Sequence, residues 1–317
     1  MIAHRRPHYL EQVLAVLKNS NVRAVYISID GYREDINHEI DLVKQCREVA
    51  AKFACETAFE VKMRAHKRNI GGAANIISSI DWMFEGTHFG IILEEDCLPN
   101  LSFFDYMDQA LESLEKTDEI WVASGYRPPY LGSDQRALLI ERPMTWGWGT
   151  TKSKWDEMRV DIMSSALKIP IRKLFFKSAS TVFWEVGARR SELGLVDAWD
   201  IPLAAAMKRK SRSSLIPPVN LVSNIGVDSL GLNTIAASHL LETPTENWIP
   251  SSRDWPEDLF DQIVIDTQNK LFEEKVANLK FRHSVTPIIK YFLQLLNPWK
   301  RGRGSLPERV SAVNPNP

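Results

Sequence analysis

Cysteine is scarce in this chain, and the three present, Cys46, Cys55 and Cys97, form no CxxC and have no histidine partner at metal spacing. That argues against a disulfide framework and a structural zinc site, and a reducing cytoplasm is the expected compartment. No apolar run reaches the roughly 18 residues that a bilayer span needs, and the opening MIAHRRPHYL has no signal-peptide core. Neither sign of charge prevails: 39 Lys and Arg stand against 40 Asp and Glu, a formal net charge of −1. No nucleic-acid partner is therefore expected, and no acidic solvating tail. No GxGxxG follows the first strand, so a Rossmann dehydrogenase is poorly supported, and no internal repeat is found.

What is present is the balance of a soluble globular protein. The 317 residues are 44% hydrophobic and 25% charged, enough for one large α/β domain or two modest ones. Pro7, suited to a first helical turn, precedes Leu10, Val13, Leu14 and Leu17 at helical spacing. VRAVYISID (22–30) reads as a strand ending in the turn Asp30-Gly31. A helical pattern returns over 35–50, TAFEVKMRAH (57–66) alternates weakly as a strand, and Gly71 to Phe84 reads as an amphipathic helix. HFGIILEED is the next strand, followed by a helix through Phe104, Met107, Leu111 and Leu114 and by the strand EIWVASGY (119–126).

Such alternation predicts an α/β fold with a mostly parallel central sheet and helices on both faces. Ligands in such sheets gather beyond the carboxyl ends of the strands. Asp30 and the run Glu94-Glu95-Asp96 both fall there and are expected to face one crevice. Past residue 130, short apolar runs and tryptophans replace the alternation. Residues 258–281 read as a helix and the end of the chain as disordered.

Three adjacent acids gain nothing from burial unless something positive neutralises them. Carboxylates clustered at a strand end suit Mg²⁺ or Mn²⁺, hard ions that keep open positions for phosphate oxygens. The plainer alternative is acids at the start of a helix, where they are welcome in any case.

The order of blocks, an AHRRP-like start, SIDG after the second strand, RNIGG, and a strand closing in EED, resembles nucleotide-sugar glycosyltransferases of the GT-A (Rossmann-like) fold. Among these it is similar to N-acetylglucosaminyltransferase I and its bacterial relatives, where two phenylalanines follow the acids as Phe103 and Phe104 do here. The resemblance covers roughly residues 1–240. It implies that Asp96 ligates Mn²⁺ or Mg²⁺, with Glu94 and Glu95 near the ribose and metal-bound water. Asp30 would accept the uracil N–H of a UDP-sugar, Arg5 would lie near the nucleotide phosphates, and Arg68, Asn69 and Gly71 would border the donor pocket. Residues 1–130 would form the nucleotide-sugar half of the domain and 131–282 the acceptor half, with a helix and tail over 283–317.

Inverting sugar transfer needs a base within reach of the acceptor hydroxyl. Trp199-Asp200 matches the family's Trp-Asp pair, which implies Asp200 as the base. Asp197 is the reserve, three residues earlier and on a similar helical face if the segment is helical. The plain alternative for Asp200 is a helix N-cap. Trp146 and Trp148, flanking Gly147, offer aromatic faces to a sugar or to the core. Asn224 and Asn233 are candidates for phosphate or acceptor contact, although relatives more often carry His-Thr where this chain has Asn233-Thr234. Cys97 is read as a small buried filler.

The strand before Arg5 and Arg6 is shorter than in the relatives, which raises a truncation as one explanation. Residues 284–304 combine an apolar helical face with basic residues. They are read as a helix docked on the domain, or as a contact with an anionic membrane carrying a lipid-linked acceptor. Two rival functions remain: a sugar-phosphate nucleotidyltransferase, disfavoured by the lack of a glycine-rich basic loop, and an inactive sugar-nucleotide-binding scaffold.

Overall fold

The computed structural model describes residues 1–131, 137–163, 179–226 and 243–248. Asn233, the 258–281 helix, the basic segment 284–304 and the tail lie outside the described residues. The element order of the first half follows the hydrophobic pattern. Strand β1 (Ile2–Ala3) leads into helix α1 (Pro7–Leu17), which opens on proline and buries Leu10, Val13, Leu14 and Leu17. Then come β2 (Ala24–Ile29), α2 (Glu39–Glu56), β3 (Glu60–Ala65), α3 (Gly72–Phe84) and β4 (Phe89–Ile92). The short β5 (Cys97–Pro99), α4 (Ser102–Lys116) and β6 (Ile120–Ser124) complete it. Beyond lie β7 (Leu138–Ile140), β8 (Trp148–Thr151), α5 (Lys152–Met163), α6 (Ala179–Glu192), α7 (Asp200–Lys210), β9 (Ser213–Ile216) and β10 (Val222–Asn224).

β3, β2 and β1 form a parallel sheet. The Ile2 N–H donates to Leu93 O at 2.8 Å, and Ile2 bridges Glu94 in parallel, so β1 joins the chain leaving β4. A five-stranded sheet continues in the order β4-β8-β6-β9-β7. Short as it is, β1 therefore lies centrally.

Six of these eight strands run in one direction, so the sheet is mostly parallel, but two strands are reversed. β6 and β9 are parallel, but β8 runs antiparallel to both β4 and β6, and β7 antiparallel to β9. The cause is the connection. Among the described residues no α-helix lies between β6 and β8 to carry the chain back across a face, and the chain returns in the opposite direction. β8 also threads the later part of the chain between two strands of the earlier part, so the two expected halves share one sheet.

Helices do cover both faces. One core gathers α1, α2 and α4, with Leu14, Phe53, Met107 and Leu114, over Ile27 and Ala123. The other gathers α3, α5 and α7, with Ile80, Trp155 and Leu203, over Ile92, Val122 and Trp148. Successive strand residues point to opposite faces, and Ile2 and Ala3 divide between the two cores accordingly. The carboxyl ends of β1, β2 and β4 then deliver His4–Arg6, Asp30 and Glu94–Asp96 to one edge.

Candidate active site

Arg6 is the first cation to meet the acids. It stands between the end of β1 and Pro7 of α1, sending Nε to Glu95 Oε1 at 2.7 Å and a terminal nitrogen to Asp96 Oδ2 at 2.9 Å. The His4 backbone N–H takes the other Glu95 oxygen at 2.5 Å. Only 13% of the Arg6 side chain is exposed. Burial disfavours its charge, but the two carboxylates outweigh that and hold it protonated. This corrects the placement of Arg5, which points away to Glu39 with a 2.7 Å ion pair. The chain bends at His4 and Arg5 after β1, and Arg6 is the arginine turned to Glu95 and Asp96.

A single guanidinium does not match three acids. Burial, then Asp96 and Asp200, push the Glu94 carboxyl up to about 8, with Arg6 opposing. Asp200, in the first turn of α7, is itself raised by burial, opposed by the N–H groups of Asp200 and Ile201 and by Arg142. Carboxyls from β4 and from α7 thus feel one another across the edge of the sheet. Trp199 fixes the start of α7 by stacking on Trp148, with centroids 5.3 Å apart and planes 20° apart.

Trp148 is therefore a core residue and not a sugar platform, a second correction. It is fully buried in β8, whose central place in the sheet leaves the ring no outlet. Trp146 differs. It is partly exposed and packs on Tyr126 with centroids 4.5 Å apart. Between them Gly147 sits at φ 62°, and a Cβ there would lie 2.6 Å from Val222 Cγ2. The position requires glycine.

β10 straps the acids from outside. It pairs antiparallel with β5, Asn224 opposite Cys97, and the Ile225 N–H donates to Asp96 O at 2.8 Å. Asn224 was expected at phosphate or acceptor. It is instead buried, its side-chain oxygen accepting from the Gly226 N–H at 2.9 Å. A Cβ on Gly226 would lie 2.3 Å from Asp96 Oδ2 and 2.7 Å from an Arg6 terminal nitrogen, so backbone lies directly on the Arg6–Asp96 pair.

Asp30 is buried at the end of β2. Its Oδ1 accepts from the Gly31 and Ile70 N–H groups at 2.8 and 3.0 Å, and its Oδ2 from the Asn69 side chain at 2.9 Å. Burial raises this carboxyl while the two backbone bonds oppose. Oδ2 retains a lone pair for one further donor. Asn69 also contacts His4 Nε2 at 3.2 Å, which ties this group to the acids. Arg68 is a surface residue, its side chain 82% exposed and 3.4 Å from Glu34.

Gly71, at φ 91°, precedes α3. The first N–H groups of that helix, on Gly72 and Ala73, donate to the Asp197 carboxylate at 2.7 and 2.9 Å. Asp197 is thus a helix cap contributed from another part of the chain. As α7 begins only at Asp200, the shared helical face expected for the two acids does not exist. Cys97 is buried, and its thiol is pushed well above its ordinary value by that burial and by Asp96 and Glu94.

Among the described residues no three His, Cys, Asp or Glu side chains gather as a metal cage. Asp96 nevertheless keeps one oxygen whose neighbour is the weak donor Cys97 Sγ at 3.6 Å. One hard carboxylate suffices for Mg²⁺ or Mn²⁺ when waters and phosphate oxygens complete the shell. Sequence reasoning missed Arg6 as the acids' partner, the His4 link and the Gly226 contact. The proline directly after Arg6 was the available signal, since it places Arg6 at a strand end just before a helix. No model of a known protein family matches the chain.

Proposed function

We propose that the chain is a glycosyltransferase of GT-A type, moving a sugar from a nucleotide donor, a UDP-sugar, to a hydroxyl of a saccharide or lipid-linked acceptor with inversion. The observation that carries this reading is the meeting of Arg6, Glu94–Asp96 and Asp200 at the carboxyl edge of the sheet, where such folds bind ligands.

Asp200 takes the proton from the acceptor hydroxyl as that oxygen forms its bond to the anomeric carbon. The bond from that carbon to the diphosphate breaks, and the leaving group departs with the electron pair. A carboxylate whose proton affinity burial has raised is the better base. Glu94, its carboxyl raised by burial and by Asp96 and Asp200 in the nucleotide-free chain, lies near the ribose and metal-bound water. Asp30 Oδ2 receives the base N–H, and Trp146 lends an aromatic face to the acceptor. Mn²⁺ or Mg²⁺, held through Asp96, supplies Lewis-acid stabilisation of the departing diphosphate when bound.

The test is UDP release from a panel of UDP-sugars with Mn²⁺, with and without acceptor sugars. Asp200→Asn is expected to slow transfer by about 10²–10⁴-fold while UDP binding persists, and Asp197→Asn to transfer normally. Normal transfer by Asp200→Asn overturns the assignment of the base. Nucleotide binding without turnover of any UDP-sugar identifies a binding scaffold instead.

A further inference from the structure

The Arg6 guanidinium is divided. One nitrogen serves Glu95 and another serves Asp96, so neither carboxylate receives the paired bonds that a planar guanidinium makes best. The phosphates of a nucleoside diphosphate offer that pairing. A cation bound to Asp96 would also stand beside this guanidinium, on the one carboxylate both would share. Arg6 holds Asp96 Oδ2 at 2.9 Å, and the Gly226 backbone closes on both. While it serves both acids, the guanidinium carbon also lies 5.6 Å from the centroid of the Tyr9 ring, in the first turn of α1.

We propose that Arg6 is an exchangeable cation. In the nucleotide-free chain it occupies Asp96. When a divalent ion and the donor arrive together, Arg6 leaves Asp96 for the diphosphate and the ion takes the carboxylate. Two consequences follow from charge alone. An ion arriving without nucleotide must evict or sit beside a guanidinium, so it binds weakly. An ion arriving with a diphosphate brings the anion that Arg6 needs, so ion and nucleotide bind with strong positive coupling. Arg6 is in this sense a positioning residue that keeps the acids closed until the donor supplies a new partner. The diphosphate half of the exchange rests on the glycosyltransferase reading, and the competition with a divalent ion does not.

The experiment is a Mn²⁺ titration of the nucleotide-free chain, followed through the paramagnetic resonance of free Mn²⁺, and repeated with saturating UDP. Arg6→Met is expected to bind Mn²⁺ alone at least tenfold tighter than the unaltered chain, and a second substitution, Asp96→Asn, to cancel the gain. UDP is expected to raise Mn²⁺ affinity at least tenfold more in the unaltered chain than in Arg6→Met. Misfolding lowers ion affinity, so a rise reports release of the carboxylate. Arg6→Lys keeps the charge with a single compact donor and is expected to fall between the two, which gives a second reading should Arg6→Met not fold. Mn²⁺ affinity equal to or below that of the unaltered chain in both variants overturns the exchange. Failure of UDP to bind any of these proteins overturns the donor reading, while the Mn²⁺ comparison still decides the competition.

Discussion

Arg5 and Arg6 are neighbours in sequence, yet they serve two acidic groups of opposite character. Around Glu39, one carboxylate receives Arg5 at 2.7 Å, the Arg33 backbone N–H at 2.7 Å and two nitrogens of the Arg33 side chain at 3.1 and 2.6 Å. Burial alone raises that carboxyl, but the bonds from Arg33 and nearby positive charge outweigh it and bring it down to about 2. Around Arg6 the ratio is reversed. Three acids share one guanidinium, and the acid left over, Glu94, is pushed up to about 8. A buried acid surrounded by donors is complete and holds structure. A set of acids short of positive charge has capacity left for a cation or a proton, and that contrast favours Glu94–Asp96 over Glu39 as the proposed donor site.

The comparison is most exposed to substitution at its saturated end. Glu39→Ala leaves two arginines facing a buried gap and is expected to cost about 3–5 kcal/mol in urea unfolding. Its pH dependence has a definite sign. A carboxyl near 2 in the folded chain and 4.5 ordinarily gives stability that is full above about pH 4.5 and lost as pH falls toward 2. The stability gap between the unaltered chain and Glu39→Gln should therefore close between pH 5 and pH 2, on the order of 3 kcal/mol from the shift alone. A gap that does not change with pH would contradict the saturated picture. The unsaturated end should respond in the other direction and more weakly. Glu94→Gln removes a like charge from beside Asp96 and Asp200 and is expected to stabilise the nucleotide-free chain by about 1 kcal/mol at pH 8. Loss of stability there would mean that Glu94 is as well served as Glu39.

Much of the first half was legible from periodicity alone. The spacing of Leu10, Val13, Leu14 and Leu17 places α1, and the β-branched run before Asp30 places β2, because local pattern and tertiary burial agree in these elements. The sheet's mixed direction was not legible, since it turns on the long connection from β6 to β8, where no periodic signal exists. The acids were found from their clustering, but which arginine faces them depends on how the chain bends after a two-residue strand. The pair Trp146 and Trp148 misled for a related reason. Residues two apart on a strand share a face, but Gly147 at φ 62° breaks that alternation and sends one ring to the core and the other to the rim. Asp197 and Asp200 were separated because the helix begins at Asp200 and leaves Asp197 outside it.

The measurement that bears most directly on the function proposed at Glu94–Asp96 is calorimetric titration with UDP, in Mn²⁺ and in EDTA, of the unaltered chain and of Asp96→Asn. The expected result is UDP binding to the unaltered chain that is strong in Mn²⁺ and weak in EDTA, with the Mn²⁺ dependence gone in Asp96→Asn. Equal Mn²⁺-dependent UDP affinity in the two proteins would contradict it and move the donor site away from these acids.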